Sequence, residues 1–162
     1  MRVLVSDTSI LIDLERGELL ETAFRLSFEL AVPDVLFRRE LEPFGGSKFP
    51  SLGLRVEELD AVGVQHAQAY RQRVPRLSIP DTFAITLAQR NSWLLLTGDQ
   101  ALRKLAESEQ IDCHGLLWFL DLMFEEGVNG QRLFNGLRAI SSHPRCRLPI
   151  REVKARLQRY RR

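Results

Sequence analysis

Three acidic residues lie where the sequence pattern predicts a strand end or a helix start, and a fourth lies within a predicted helix. Asp7 and Asp99 each follow a short apolar segment, Asp81 falls in the first turn of a predicted helix, and Glu40 lies in a helical pattern. Two carboxylates about 4 Å apart repel each other by roughly 4 kcal/mol at an effective dielectric constant of about 20. Oxygen ligands of this kind suit the hard cations Mg²⁺ and Mn²⁺. If these acids meet, we expect them to hold a divalent cation.

Each acid also has a simpler structural explanation. Asp7 and Asp99 precede predicted helices, which they can cap by accepting backbone N–H groups. Ser78 and Asp81 have the spacing of a capping box, and Glu40 taken alone is typical of a solvated helix position. Capping explains these acids one at a time, but it does not explain why they should meet at one end of a sheet.

The elements that must position these acids alternate along the chain. Apolar segments at 2–6, 30–32, 54–59 and 93–97 predict strands, and the segments between them carry helical spacing. Residues 43–50 predict a loop from their prolines and glycines. Strands separated by helices predict an α/β fold, a three-layer sandwich with a mostly parallel central sheet, formed by 1–162 as one domain. Ligands bind beyond the carboxyl ends of such strands, where Asp7 and Asp99 are expected.

Charge and composition exclude several classes of protein. The chain has 162 residues and a net charge of +2, but residues 143–162 contain eight Lys or Arg against one acid, so the preceding residues are net negative. This asymmetry predicts a polyanionic partner or a cation bound to the acidic part. No apolar run has the length of a signal peptide or a membrane span, and Cys113 and Cys146 do not form a disulfide framework. We therefore expect a cytoplasmic protein with reduced thiols and no membrane partner.

Four segments, in this order, resemble the conserved blocks of PIN domains. They are VSDTSILIDL at 5–14, VPDVLFRRE at 32–40, IPDTFAITLA at 79–88 and LLTGDQALR at 95–103. The resemblance covers about residues 1–115 and implies a metal-dependent ribonuclease of the VapC-like toxin type. It also implies a cognate antitoxin as a possible partner and a possible homodimer. The family's four acids fall on Asp7, Glu40, Asp81 and Asp99, and the hydroxyl residue before the fourth acid falls on Thr97.

The resemblance gives each of these residues an expected role in RNA hydrolysis. Asp7, Asp81 and Asp99 are the expected ligands of Mg²⁺ or Mn²⁺, directly or through water, and Glu40 is a ligand or orients the attacking water. A bound metal ion would polarise the scissile phosphate and activate water for in-line attack, leaving 3′-hydroxyl and 5′-phosphate ends. Neighbouring hydroxyl groups would hold the ligands or the metal-bound waters in place; they belong to Thr8, Ser9 and Thr97.

A helical extension is predicted from about residue 116, ending in a basic helix at about 149–162. This helix could bind RNA phosphates, dock an acidic antitoxin segment or a second subunit, or simply present a solvated face. The cations considered for RNA phosphates are Arg103, Arg151, Lys154 and Arg159.

Two other functions compete with the ribonuclease. A PIN-like module that binds nucleic acid or protein without cutting it is favoured by the basic tail. A phospho-acceptor receiver domain would also gather acids at strand ends, but it needs a lysine at a late strand end. Here the lysines are Lys48, Lys104 and Lys154, and none has that placement.

Overall fold

A computed structural model describes residues 2–161, with a five-stranded sheet at the centre of the chain. The strands are β1 (Val3–Ser6), β2 (Glu29–Pro33), β3 (Arg55–Glu57), β4 (Leu94–Leu96) and β5 (Cys113–His114). They pair in the order β3-β2-β1-β4-β5, and every pair is parallel. The predicted parallel sheet is confirmed. The two-residue β5 was not predicted, because so short a strand leaves no periodic pattern.

Helices connect the strands and cover both faces of the sheet. They are α1 (Thr8–Arg16), α2 (Leu20–Phe24), α3 (Asp34–Leu36), α4 (Phe49–Leu52), α5 (Ala61–Arg73), α6 (Ile79–Asn91), α7 (Gln100–Ser108), α8 (Leu116–Glu125), α9 (Gly130–Ser141) and α10 (Ile150–Tyr160). One apolar cluster joins α1, α2 and α8 to α10 with one face of the sheet, and a second cluster joins α5 to α7 with the other. The predicted three-layer sandwich is therefore confirmed.

Successive side chains of each strand point alternately into the two helical layers. Leu4 of β1 and Leu96 of β4 belong to the first cluster, whereas their neighbours Val5 and Leu95 belong to the second. Successive side chains of a strand point to opposite faces, so a strand covered on both sides is apolar throughout. This explains why the segment around β4 reads as a continuous apolar run.

The segment from 34 to 52 is more helical than its sequence predicts. After α3 the chain forms a π-helical turn (Phe37–Leu41), two 3₁₀ turns (Glu42–Phe44 and Gly46–Lys48) and α4, where a loop was expected at 43–50. Pro43 and Pro50 lie in the first turns of helical pieces, where a missing N–H is tolerated. The prolines therefore begin short helices here, and the loop prediction was wrong in that respect.

The last three helices pack onto the sheet layer. A Cβ placed on Gly17, after α1, would lie 3.0 Å from the carbonyl oxygen of Gly136 in α9, so the two backbones pass closely. Tyr160 of α10 is 1% exposed, and its hydroxyl donates to Asp121 of α8 at 2.6 Å. Helix α10 is thus fixed to α8 at its C-terminal end.

Within residues 2–161, no helix has the length and apolar character needed to cross a membrane.

Candidate active site

Asp7 lies at the centre of the carboxyl edge, between the end of β1 and the start of α1. Its Oδ1 accepts the backbone N–H of Ile10 at 3.0 Å and the hydroxyl of Ser9 at 2.8 Å. The first bond caps α1, so the predicted capping role is real. Asp7 is nevertheless only 5% exposed, which is unusual for a charged side chain without a paired cation.

Thr97 connects Asp7 to the second acid of the sheet edge. Its hydroxyl donates to Oδ2 of Asp7 in a short hydrogen bond, and its Oγ1 accepts the backbone N–H of Asp99 at 3.0 Å. Thr97 is fully buried and follows β4, which pairs directly with β1. The pairing of β1 with β4 therefore brings the first and fourth predicted acids to the same edge.

Burial raises the pKa of the Asp7 carboxyl above its ordinary value. Hydrogen bonds from Thr97, Ile10 and Ser9 favour the charged form and oppose the increase, while the negative charge of Asp81 adds to it. A nearby divalent cation would favour the ionised form of Asp7 and lower this pKa.

Glu40 reaches the site from the π-helical turn after α3. Its Oε1 accepts the hydroxyl of Thr8 at 2.6 Å, and Thr8 directly follows Asp7. A π-helical turn changes the direction of side chains along a helix and is frequent at functional sites. Glu40 is half-buried, and its partner Thr8 is 32 positions away in the sequence. It is therefore not a freely solvated helix residue, which was the alternative considered from the sequence.

Asp81 and Asp99 both cap their own helices. Asp81 forms the predicted capping box with Ser78: its Oδ2 accepts the Ser78 N–H at 3.2 Å, and its own N–H donates to the Ser78 hydroxyl at 3.1 Å. Asp99 caps α7 through Oδ1, which accepts the Leu102 N–H at 2.9 Å. Each carboxylate keeps its second oxygen without a hydrogen-bond partner in residues 2–161. Capping and ion binding are therefore compatible at both acids.

The donor set fits a hydrated divalent cation in type and charge. In the described part of the chain, no lysine, arginine or histidine forms an ion pair with any of the four acids. Within the same residues, however, no three carboxylate, histidine or cysteine groups lie close enough to hold an ion together. Mg²⁺ keeps several of its waters and needs only one or two carboxylates. The oxygen donors therefore suit such an ion in kind, but the described residues do not bring three of them around one point.

The four cations considered for RNA phosphates lie in different surroundings. Arg151 and Lys154 are exposed on α10, whereas Arg159 is 3.2 Å from Asp121 and helps to hold that helix. Arg103 of α7 extends toward the sheet edge, where Nη2 is 3.4 Å from the carbonyl oxygen of Thr97. Arg162, the last cation of the basic tail, lies outside the described residues.

Two residues beside the site were not recognised in the sequence. His114 of β5 stacks on Trp118 of α8, with ring centroids 4.2 Å apart and 10° between the ring planes. Trp118 is half-buried and packs against the first apolar cluster. Nothing in the spacing of these residues indicates that their rings face each other, because the contact depends on how α8 leaves the edge strand.

Comparison with known proteins gives one match over nearly the whole chain. A family model described as a PIN domain matches residues 3–162. No curated protein matches. Among solved structures, a chain of a toxin-antitoxin complex from Klebsiella pneumoniae matches with 18% identity and a TM-score of 0.43, covering 59% of this chain and 86% of that one.

Proposed function

Because the chain belongs to the PIN domain family, we propose that it is a Mg²⁺- or Mn²⁺-dependent ribonuclease that hydrolyses RNA phosphodiester bonds. PIN domains are generally nucleases. The observation that carries this proposal is the hydrogen bond from the Thr97 hydroxyl to the Asp7 carboxylate. The same hydroxyl oxygen accepts the backbone N–H of Asp99. This contact joins acids from two neighbouring strands at the edge where parallel sheets bind ligands.

The acidic side chains would have different roles in hydrolysis. When bound, the ion supplies positive charge at the scissile phosphate and lowers the pKa of water. Asp7, Asp81 and Asp99 would hold it as direct or water-bridged ligands. Glu40, oriented by Thr8, would orient the attacking water and accept its proton through the other carboxylate oxygen. Water attack in line with the leaving oxygen gives 3′-hydroxyl and 5′-phosphate ends and does not use the 2′-hydroxyl.

The ribonuclease is tested with Asp7→Asn on a fluorescently labelled single-stranded RNA. Asparagine keeps an oxygen for the cap of α1 and removes the charge, so cleavage should fall at least about 100-fold, beyond the usual 10- to 100-fold effect of losing an outer partner of a metal ligand. Asp60→Asn is the matched control, because Asp60 caps α5 in the same way through the Gly63 N–H. Full activity in Asp7→Asn, or in excess EDTA, would contradict the proposal.

Ion binding can be measured without following cleavage. Mn²⁺ should raise the melting temperature of the wild-type chain in a saturable way, because a ligand that binds the folded state stabilises it. Asp7→Asn should abolish this increase, and Asp60→Asn should retain it. An equal increase in all three proteins would show that Mn²⁺ binds elsewhere.

The finer part of the proposal is that the enzyme is the toxin of a toxin–antitoxin pair, acting in the cytoplasm. It rests on the resemblance of the four sequence blocks to VapC-like PIN domains. Expression of the wild-type chain in a bacterial host should arrest growth, and Asp7→Asn should not. Co-expression of a protein encoded beside its gene should relieve the arrest and form a complex with this chain. Normal growth under strong expression would contradict the toxin role.

A non-catalytic PIN-like module is the second candidate function. It is favoured by the arrangement of the acids in residues 2–161, where no three potential ligands lie within reach of one ion, and by the raised pKa of Asp7, which disfavours its charged form. Such a module would bind RNA without cutting it and would show no saturable stabilisation by Mn²⁺. The cleavage and ion-binding measurements therefore separate the two functions.

A further inference from the structure

The cations of helix α10 lie on two flanks that differ in their acidic neighbours. Residues 130–161, which include α9 and α10, contain nine Lys or Arg against a single acid, Glu152. On one flank, Arg156 and Arg159 lie 3.0 and 3.2 Å from Asp121. Glu152 belongs to the same flank, since it lies 3.8 Å from Arg156. The cations of this flank are therefore engaged in holding α10 to α8.

The other flank of α10 carries a row of exposed residues. Arg151, Lys154, Gln158 and Arg161 follow one another at intervals of three or four positions, and this spacing places side chains on one face of a helix. Arg161 follows the last residue of α10 and keeps helical backbone angles, with φ −75° and ψ −16°. At a rise of about 1.5 Å per residue, the row is about 15 Å long. We call these four residues the α10 row.

No acid neutralises the cations of the α10 row in the part of the chain that the structure describes. Arg151, Lys154 and Arg161 form no ion pair within residues 2–161. All three are exposed, so their charges act on the solvent beside α10. Cations clustered on one face without acidic partners favour a polyanion.

Helix α9 adds a fourth cation through the ring of Phe134. The guanidinium carbons of Arg138 and Arg161 lie 5.8 and 5.1 Å from the centroid of this ring. Arg138 belongs to α9, so the half-buried ring brings one guanidinium from each helix to the same place. Contact with an aromatic ring restricts the guanidinium groups, and each planar group has the geometry to bind a phosphate through two N–H donors. The two arginines are thus positioned before a ligand arrives.

The surface around the α10 row favours a duplex over a single strand. Proteins that bind single-stranded nucleic acid use aromatic side chains to contact the bases, but Phe134 is half-buried and already contacted by two guanidinium groups. Double-stranded RNA is recognised mostly by its shape and its phosphates. Double-stranded DNA carries one charge for about every 1.7 Å of its axis. A duplex of similar charge density presents several phosphates to a row of about 15 Å.

We propose that the α10 row, together with Arg138, binds the phosphate backbone of an RNA duplex. A cleft of about 350 Å³ opens beside the acids at the sheet edge, and none of the described residues that line it belongs to the row. The duplex therefore binds outside the candidate active site, on the C-terminal extension. The binding itself does not depend on cleavage, but the assignment of this duplex to a folded RNA substrate rests on the proposed ribonuclease function.

The salt dependence of duplex affinity tests the row residue by residue. Fluorescence anisotropy is measured with a labelled RNA duplex of about 16 base pairs, the length that one double-stranded RNA-binding domain spans, and with chains that carry Asp7→Asn so that RNA is not cut. One lost phosphate contact reduces the slope of log affinity against log salt by about 1. This reduction is expected in each of four variants: Arg138→Gln, Arg151→Gln, Lys154→Gln and Arg161→Gln.

Arg76→Gln is the matched control for these four variants. Arg76 is exposed and forms no ion pair within residues 2–161. It lies between α5 and α6, which pack on the other face of the sheet. Its replacement should leave the slope unchanged. Equal slopes in the control and the four variants overturn the proposal.

Two further variants separate the position of a charge from its amount. Gln158→Glu places an acid in the middle of the α10 row, whereas Gln72→Glu adds the same charge at an exposed position of α5. Gln158→Glu should weaken duplex binding at least about 10-fold, because like charges brought together oppose binding, and Gln72→Glu should weaken it much less. Equal weakening would show that the duplex responds to net charge alone, and it would overturn the assignment to this row.

Competition identifies the class of polyanion. Unlabelled duplex should displace the labelled duplex at a lower concentration than either of its separated strands, and polyglutamate at the same concentration of charge should displace it less than the duplex does. Equal displacement by a single strand overturns the preference for a duplex. Equal or stronger displacement by polyglutamate overturns the proposal in favour of an acidic protein segment.

Cleavage assays distinguish failure of this inference from failure of the proposed function. Duplex binding with the expected slopes, without cleavage by the wild-type chain, contradicts the ribonuclease and supports the α10 row. Cleavage without a slope difference between row and control variants overturns the row and leaves the ribonuclease intact.

The assignment of the duplex to the substrate has its own test in the wild-type chain. A hairpin beside the cleaved segment of an RNA should lower KM relative to the same segment alone, and Lys154→Gln should reduce this difference. Equal KM values with and without the hairpin overturn that assignment. Melting temperatures of all the variants establish that each is folded.

Discussion

The hydroxyl of Thr97 donates to the carboxylate of Asp7 across the central strand pair of the sheet, between residues 90 positions apart in the sequence. The same hydroxyl oxygen accepts the N–H of Asp99. A single buried side chain thus fixes the orientation of one acid and the backbone position of another. The following predictions examine this contact and the groups around it.

Thr97→Val should reduce both stability and cleavage. It leaves Oδ2 of Asp7 without its donor and the N–H of Asp99 without its acceptor, at a cost of about 1 to 3 kcal/mol in the free energy of unfolding. Cleavage should fall about 10- to 100-fold, as for other outer partners of metal ligands. Thr86→Val is the matched control: Thr86 is also fully buried, but its hydroxyl donates only to the Thr82 carbonyl oxygen in α6. Equal loss of activity in both variants would contradict a positioning role for Thr97.

Asp7→Asn should be at least as stable as the wild-type chain at pH 7 in the absence of divalent ions. Burial raises the pKa of Asp7 in the folded state, so folding favours its protonated form. Wild-type stability should fall, relative to the variant, as the pH rises from below the ordinary carboxyl pKa through the raised value. Urea unfolding in EDTA at several pH values measures this difference. A wild-type chain that gains stability over the variant across that range would contradict it.

Glu40→Gln should lower cleavage without lowering stability. Glutamine keeps an oxygen that can accept the Thr8 hydroxyl, but it cannot take a proton from water, and general-base catalysis contributes about 10²- to 10⁴-fold. We expect kcat to fall about 100-fold, while the melting temperature stays unchanged. Glu42→Gln, at an exposed position two residues along the chain, should cleave at the wild-type rate. Unimpaired cleavage by Glu40→Gln would remove Glu40 from the proposed mechanism.

Asp121→Ala should loosen the end of α10. Asp121 accepts the Tyr160 hydroxyl at 2.6 Å and lies 3.0 Å from Nη2 of Arg156, so its removal leaves a buried hydroxyl without its acceptor and takes the nearer acid from a half-buried guanidinium. The expected cost is about 1.5 to 3 kcal/mol in the free energy of unfolding. Glu152→Ala removes an exposed carboxylate that lies 3.8 Å from Arg156, and it should cost at most about 1 kcal/mol. Hydrogen exchange at the α10 amides distinguishes local loosening from global destabilisation.

Cys113 should react slowly with alkylating reagents. Burial raises the pKa of its thiol from 9.0 to about 11, so at pH 8 the reactive thiolate is about 100-fold scarcer than in a thiol of ordinary pKa. The rate is measured by mass spectrometry with iodoacetamide in a Cys146→Ser chain, against the same reaction in urea. Protonation of this thiol favours the folded state, so that contribution persists below pH 9 and is lost as the pH rises through about 11. Equal rates in the folded and unfolded chains would contradict the prediction.

The sequence alone determined the layers and the sheet edge. The apolar run around β4 and the polar residues directly after β1 and β4 are local features, and a buried parallel strand needs both. They predicted Asp7 and Asp99 at one edge, and the observed pairing of β1 with β4 places them there. The capping box of Ser78 and Asp81 was also predictable, because all its atoms lie within one helical turn.

Tertiary structure alone decided which side chains meet. The bond between Thr8 and Glu40 depends on a π-helical turn, and the stack of His114 on Trp118 depends on a two-residue edge strand. Neither feature has a periodic signal in the sequence. The position of the Arg103 guanidinium beside Gly115 has no such signal either. Local sequence patterns depend on how one segment folds, whereas contacts between distant segments form only when the layers pack together.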